Sequence, residues 1–138
     1  MICYVLDACA LIALLEDEEG ADVVSNVINL ANRGQATVVM HNANLLEVYY
    51  AAYRTQGKKQ ADLMLNKIMK LPIIINNEIT NEIFAEAGRL KATYKVSFAD
   101  TFALAQAIVS DGALLTCDHH EFGEIEGKEN INFKWIRV

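Results

Sequence analysis

The sequence predicts a three-layer α/β fold built on a largely parallel sheet. Two observations carry that expectation. Short apolar runs alternate with longer amphipathic stretches along the chain, the rhythm of strands joined by crossover helices. Most of the short runs are also apolar at every position, as strands covered on both faces must be.

Taken in order, "ICYVLD" reads as a buried strand and "ACALIALL" as a helix, followed by the acidic turn "EDEEG". "ADVVSNVINLANRG" sets Val23, Val24, Val27, Ile28 and Leu30 at helical spacing and stops at Gly34, where a C-cap belongs. "ATVVM" is a second strand. Asn42 is suited to cap the next helix, which carries Leu45, Leu46, Tyr49, Tyr50 and Tyr53 and ends near Gly57. "KKQADLMLNKIMKL" is a further amphipathic helix, ended by Pro72, and "PIIIN" is the third strand. "EITNEIFAEAGRLKATYK" reads as helical despite Gly88, and "SFADTFALAQAIVSDG" as a helix capped at both ends. "ALLTC" is the fourth strand, and "INFKWIRV", after "DHHEFGEIEGKE", is a terminal one. With no repeat, low-complexity tract or linker, residues 1–138 read as one domain.

A chain of 138 residues, 53% of them hydrophobic, can bury a core without staples. Cys3, Cys9 and Cys117 are too few and too scattered for a disulfide framework, and read as reduced thiols of a cytoplasmic protein. The N-terminus lacks a basic region, and Asp7 interrupts what would be the apolar core of a secretory signal. The uncharged run Ala8–Leu15 falls well short of the roughly 20 residues that span a bilayer, so no membrane association is expected. A net charge of −6 excludes a broad basic surface. Its distribution is uneven: −6 over residues 1–53, +4 over 54–95 and −4 over 100–138. The basic middle is available to phosphates, although ordinary solvated helix faces explain it equally well.

Four acids punctuate apolar runs. Asp7 ends the first strand, and Asp118 follows the fourth in "LLTCD". Glu47 in "NLLEVYYAAY" and Asp100 in "SFADTFALAQA" lie near the starts of helices. Sites in open parallel sheets form at the carboxyl ends of strands, where the following helices begin, so all four can converge. Each has an ordinary reading: Asp7 as a cap, Asp100 as part of a capping box with Ser97, Asp118 and Glu121 as turn caps, Glu47 as a solvated residue. Those readings do not explain why all four fall at one edge. Carboxylates brought together repel unless a cation neutralises them. Oxygen donors suit Mg²⁺ or Mn²⁺ better than zinc.

"YVLDACALIAL", "NLLEVYYA", "SFADTFALAQA" and "LLTCDHHEF" resemble, in order and spacing, the four acidic motifs of PIN-domain ribonucleases, and within them the VapC-type toxins of toxin–antitoxin pairs. The resemblance spans essentially the whole chain. It implies a PIN-like three-layer fold whose five-stranded, mainly parallel sheet has the order 3-2-1-4-5, flanked by helices. It also implies an Mg²⁺-dependent endoribonuclease, with Mn²⁺ as an alternative ion, whose site comprises Asp7, Glu47, Asp100 and Asp118. Thr116 matches the threonine that precedes the last aspartate in such proteins. Many relatives carry a further acid shortly after that aspartate; here positions 119 and 120 are both His, and Glu121 is the nearest candidate for the fourth corner.

The expected chemistry is in-line attack by a metal-activated water on an RNA phosphodiester, leaving a 5′-phosphate and a 3′-hydroxyl. Asp7, Asp100 and Asp118 would hold the principal ion, Glu47 would complete the shell or orient the water, and Thr116 would bond a carboxylate. Arg54, Lys58 and Lys59 are candidates for flanking phosphates. A toxin of this type implies a cognate antitoxin that inserts an apolar helix and an arginine, and a homodimer.

Other features carry less. His119 and His120 lack a partnering His–Cys spacing for zinc. The tyrosines at 49, 50 and 53 suit core or interface, and Trp135 suits packing. A haloacid-dehalogenase-like phosphatase wants a second aspartate where Cys9 stands. A receiver wants an acidic pair ending the first strand, and no glycine-rich phosphate loop follows any strand. The remaining rival is a non-catalytic PIN-like module that binds RNA or protein, for which a missing carboxylate would be expected.

Overall fold

A computed structural model describes residues 1–138. Five strands, β1 (Ile2–Leu6), β2 (Ala36–His41), β3 (Ile74–Asn76), β4 (Ala113–Thr116) and β5 (Asn132–Trp135), form one sheet in the order β3-β2-β1-β4-β5. Every pairing is parallel. The helices are α1 (Ala8–Leu15), α2 (Ala21–Asn32), α3 (Asn42–Gln56), α4 (Lys58–Met69), α5 (Asn81–Thr93), α6 (Phe98–Ser110) and α7 (His119–Phe122). The three-layer α/β expectation and the strand order 3-2-1-4-5 both hold.

Alternation along the central strands divides the core between the two faces of the sheet. Leu6 and Leu115 join Leu11, Val24, Met40, Leu45 and Ile68 on one side. Val5 and Leu114 join Ile83, Leu90, Phe102, Leu104 and Phe122 on the other. β1 and β4 lack a wet face for this reason, which is why they read as continuous apolar runs.

Local chemistry sets the element ends. Gly34, at φ +71°, sits just past α2; its N–H donates to Ala31 O at 3.0 Å and that of Gln35 to Leu30 O at 2.9 Å. This is the Schellman arrangement that a left-handed residue permits. The expected cap of α3 is displaced by one residue. His41, not Asn42, is the N-cap: its Nδ1 accepts from the Ala43 N–H at 3.0 Å while Nε2 donates to Glu78 O at 2.9 Å. An imidazole acceptor is not a common cap, so composition points to the neighbouring amide instead. α5 begins at Asn81 with Thr80 as cap, three residues later than the pattern suggested.

The cysteine expectation needs correction. Cys9 and Cys117 are paired as a disulfide, their Cα atoms 6.1 Å apart across a sequence separation of 108, and Cys3 alone is free. Spacing along the chain cannot reveal this pair, because it is the lateral pairing of β1 with β4 that brings the residues after each strand together. No helix is long and apolar enough to cross a membrane.

Candidate active site

The register Leu6↔Leu115 ends β1 and β4 at the same edge. Asp7 therefore emerges beside Thr116, its N–H donating to Leu115 O at 3.4 Å. Asp7 is 3% exposed and Thr116 fully buried. The carboxyl does not sit uncompensated: one oxygen accepts from the Ala10 N–H at 2.8 Å and caps α1. Burial still pushes it up to about 7, against the pull of the Thr116 hydroxyl and the Ala10 bond and with the help of Asp100 and Glu47.

Asp100 arrives from the first turn of α6, where the Ser97 hydroxyl accepts its N–H at 3.1 Å. The carboxyl is raised to about 6, chiefly by burial, with Glu47, Glu121 and Asp118 adding to the rise and Ser97 opposing it. Asp118 caps α7, its Oδ1 accepting from the Glu121 N–H at 3.0 Å. The Asp118 N–H in turn donates to Thr116 Oγ1 at 3.2 Å. The cap readings for Asp7 and Asp118 are thus correct as local chemistry, and they aim the same carboxylates at the sheet edge.

Carboxylate oxygens of Asp100, Asp118 and Glu121 all lie within 4.8 Å of one another, each residue partly buried. Asp7 and Glu47 lie outside that tight trio but act on it electrostatically. Glu121, the least certain corner from the motif, is thus one of its three members. Glu47 is half-buried on α3 and raised by burial, with Asn44 holding it down. The Asn44 amide donates to Glu47 Oε1 at 3.4 Å and to Ala99 O at 3.0 Å. Motif spacing does not single out Asn44; the available signal was an amide three residues before Glu47, among apolar helix positions.

The three basic candidates are not drawn into the acids. Lys58 Nζ is 2.6 Å from Asp62 Oδ2, Arg54 lies over the Tyr50 ring at 5.3 Å, and Lys59 is exposed without an ion pair. His119, beside Asp118, stacks on Trp135 with ring centroids 3.8 Å apart and bonds Arg137 O at 2.8 Å. Neither histidine joins the acidic trio. The donor set is carboxylate oxygen throughout, which suits a hard divalent cation such as Mg²⁺ or Mn²⁺ and not a zinc centre built on His and Cys.

Comparison with known proteins agrees with this geometry. The profile described as PIN domain matches residues 4–128. No curated protein matches the chain by sequence. Among solved structures, VapBC2 from Rickettsia felis bound to a DNA fragment from their promoter is similar at TM-score 0.75 and 19% identity, covering 97% of this chain and 98% of that one. VapBC-1 from nontypeable Haemophilus influenzae gives 0.74 and 18%, covering 98% of both chains. The Mycobacterium tuberculosis VapC20, a sarcin–ricin loop cleaving toxin, gives 0.67 and 13%, covering 88% of this chain and 94% of its own. At such identities the likeness is one of fold, and it is the profile match across nearly the whole chain that assigns the family: the chain belongs to the PIN domain family.

Proposed function

We propose that residues 1–138 act as one PIN domain, a VapC-like toxin that hydrolyses RNA phosphodiester bonds with a divalent cation, Mg²⁺ or Mn²⁺. The observation that carries the reading is the trio of Asp100, Asp118 and Glu121 oxygens within 4.8 Å, backed by Asp7 and Glu47. Three carboxylates converge there, and their oxygens fit the coordination of a hard ion. A cation bound there would supply neutralisation of phosphate oxygens and a more acidic water at neutral pH.

The chain's own residues do the rest. Asp100, Asp118 and Glu121 would hold the cation, with Asp7 beside Thr116 at the same sheet edge. Thr116 keeps Asp7 and Asp118 oriented. Glu47, its proton affinity raised by burial, orients the attacking water and takes its proton. The new bond would form between that water's oxygen and phosphorus as the bond to the 3′-oxygen breaks, and the leaving oxygen would take a proton from solvent, giving a 5′-phosphate and a 3′-hydroxyl. Arg54 and Lys59 receive phosphates away from the cut.

A cognate antitoxin fits the groove of about 420 Å³ lined by Ala43, Leu46, Tyr50, Phe98 and Phe102, with Glu47 in its wall. An apolar helix carrying an arginine would satisfy both the rings and the carboxylate. The exposed apolar residues Ile79 and Phe84 suit a second copy of the chain, and a cytoplasmic setting suits both RNA and antitoxin. The test incubates the purified protein with structured RNAs in Mg²⁺ or EDTA, beside Asp100→Asn. Cleavage only with Mg²⁺, absent in the variant and yielding 5′-phosphate ends, is expected; cleavage that persists in EDTA overturns the reading.

A further inference from the structure

Asn44 is the buried polar residue whose chemistry the site does not yet use. It is 0% exposed on α3. Its Nδ2 donates 3.0 Å to Ala99 O, in the first turn of α6, and 3.4 Å to Glu47 Oε1. Its Oδ1 is the one buried side-chain polar atom in the molecule without a hydrogen-bond partner. The amide cannot turn over to cure this, because Oδ1 would then face two acceptors.

Packing does not account for an amide in that position. A leucine of the same branching would occupy the position without an orphaned acceptor, and buried unpaired polar groups are rare enough to need a reason. Nor would its loss strand either partner. Ala99 O lies inside a helix and keeps its ladder bond, and Glu47 is half-buried and still reaches water. What the amide uniquely does is tie α3, which carries Glu47, to the turn of α6 that carries Asp100.

We propose that Asn44 is a positioning residue for the acid site: its amide braces Glu47 against the first turn of α6 and so sets the Glu47 carboxylate relative to Asp100. The brace fixes the Glu47 side chain, which would otherwise choose among several rotamers, before any ligand arrives. Its meaning for catalysis rests on the nuclease reading above; the brace itself does not.

The test compares wild type with Asn44→Leu, and with Asn44→Ala in case the larger side chain packs poorly. Crystal structures report the Glu47 rotamer, calorimetric titration reports Mn²⁺ affinity, melting in EDTA reports stability, and RNA cleavage reports kcat and KM. Both variants should release Glu47 from its position and lower kcat by about tenfold or more, while Mn²⁺ affinity stays near wild type because Glu47 lies outside the trio that would hold the ion. Asn44→Leu should melt at or above the wild-type temperature, with kcat lowered and KM for RNA unchanged. Glu47 unmoved in both variants, or kcat unchanged where it has moved, overturns the proposal. A wild type that binds no Mn²⁺ and cuts no RNA removes the nuclease reading, while the position of Glu47 in the variants still decides the brace.

Discussion

The Asp118 N–H donates to the Thr116 hydroxyl at 3.2 Å, and the same hydroxyl lies against the Asp7 carboxyl and favours its ionised form. One fully buried side chain therefore orients acids that stand 111 residues apart in the sequence, 118 less 7. Thr116→Val keeps the shape and removes both bonds. Stability in EDTA should fall by about 1–3 kcal/mol as the Asp118 N–H loses its partner, and Mn²⁺ affinity by roughly tenfold or more. Urea melts and calorimetry check both; unchanged Mn²⁺ binding would remove Thr116 from the site.

Metal-free stability should fall as pH rises. The Asp7 carboxyl titrates at about 7 in the folded chain and near ~3.9 when unfolded. Between those values the folded state holds the extra proton, so the stabilisation is complete below about pH 4 and is lost as pH climbs through about 7. Asp100 acts in the same direction, with its upper limit at about 6. Asp7→Asn can still accept from Ala10 as an N-cap, so in EDTA at pH 8 it should melt above wild type while RNA cleavage disappears. Melts from pH 4 to 8 give the slope; added Mg²⁺ should flatten it.

Glu121 sits in the acidic trio, unlike Asp7 and Glu47. Glu121→Gln should therefore weaken Mn²⁺ binding as much as Asp118→Asn does, on the order of tenfold or more for a lost charged ligand. Neither change should disturb the fold, because an asparagine at position 118 still caps α7 and Glu121 contributes only its backbone to that cap. Calorimetric titration of the two variants side by side decides; full Mn²⁺ affinity in Glu121→Gln would exclude it from the site.

The basic residues after α3 should differ among themselves. Lys58 is committed to Asp62 at 2.6 Å, so Lys58→Ala should leave KM for RNA near wild type. Arg54→Glu and Lys59→Glu should raise KM without altering kcat, and each lost phosphate contact should reduce the salt slope of binding by about one. Kinetics across a range of KCl concentrations give both quantities.

Reduction of the Cys9–Cys117 disulfide reopens a loop of 108 residues. A crosslink over that span stabilises by roughly 5 kcal/mol through the unfolded chain. Cys117→Ser and reductant-treated wild type should both lose about that much in denaturant melts, and Cys3→Ser should lose none. Equal stability with and without reductant would show that the pair contributes nothing.

Much of this molecule is legible along the chain because its causes are local. Continuous apolar runs mark β1 and β4, since both faces of those strands are covered. Glycine at a left-handed position marks the end of α2. Ser97 marks a helix start because a side-chain oxygen must meet the free N–H groups of the first turn; Thr80 does the same for α5, but the pattern set that start three residues too early. Asp7 and Asp118 stand at strand ends for the same reason, each capping the helix that follows, while Glu47 and Asp100 lie early in helices capped by other residues. His41 escaped this reading because an imidazole caps only when its other nitrogen is held elsewhere, here by Glu78 across 37 residues.

The sequence by itself determined the elements, a largely parallel sheet and the acids that punctuate it, because periodicity, capping and chain breaks act within a few residues. The strand order followed only from the family resemblance. Tertiary structure alone decided which acids share a centre. Lateral pairing of β1 with β4 set Asp7 beside Thr116 and Cys9 against Cys117. The packing of α3 on α6 made Asn44 a bridge. The turn after β4 brought Glu121, not Asp7 or Glu47, into the tight trio with Asp100 and Asp118. Those are distances between residues far apart in the chain, set by register and helix packing, and neither leaves a periodic trace in the sequence.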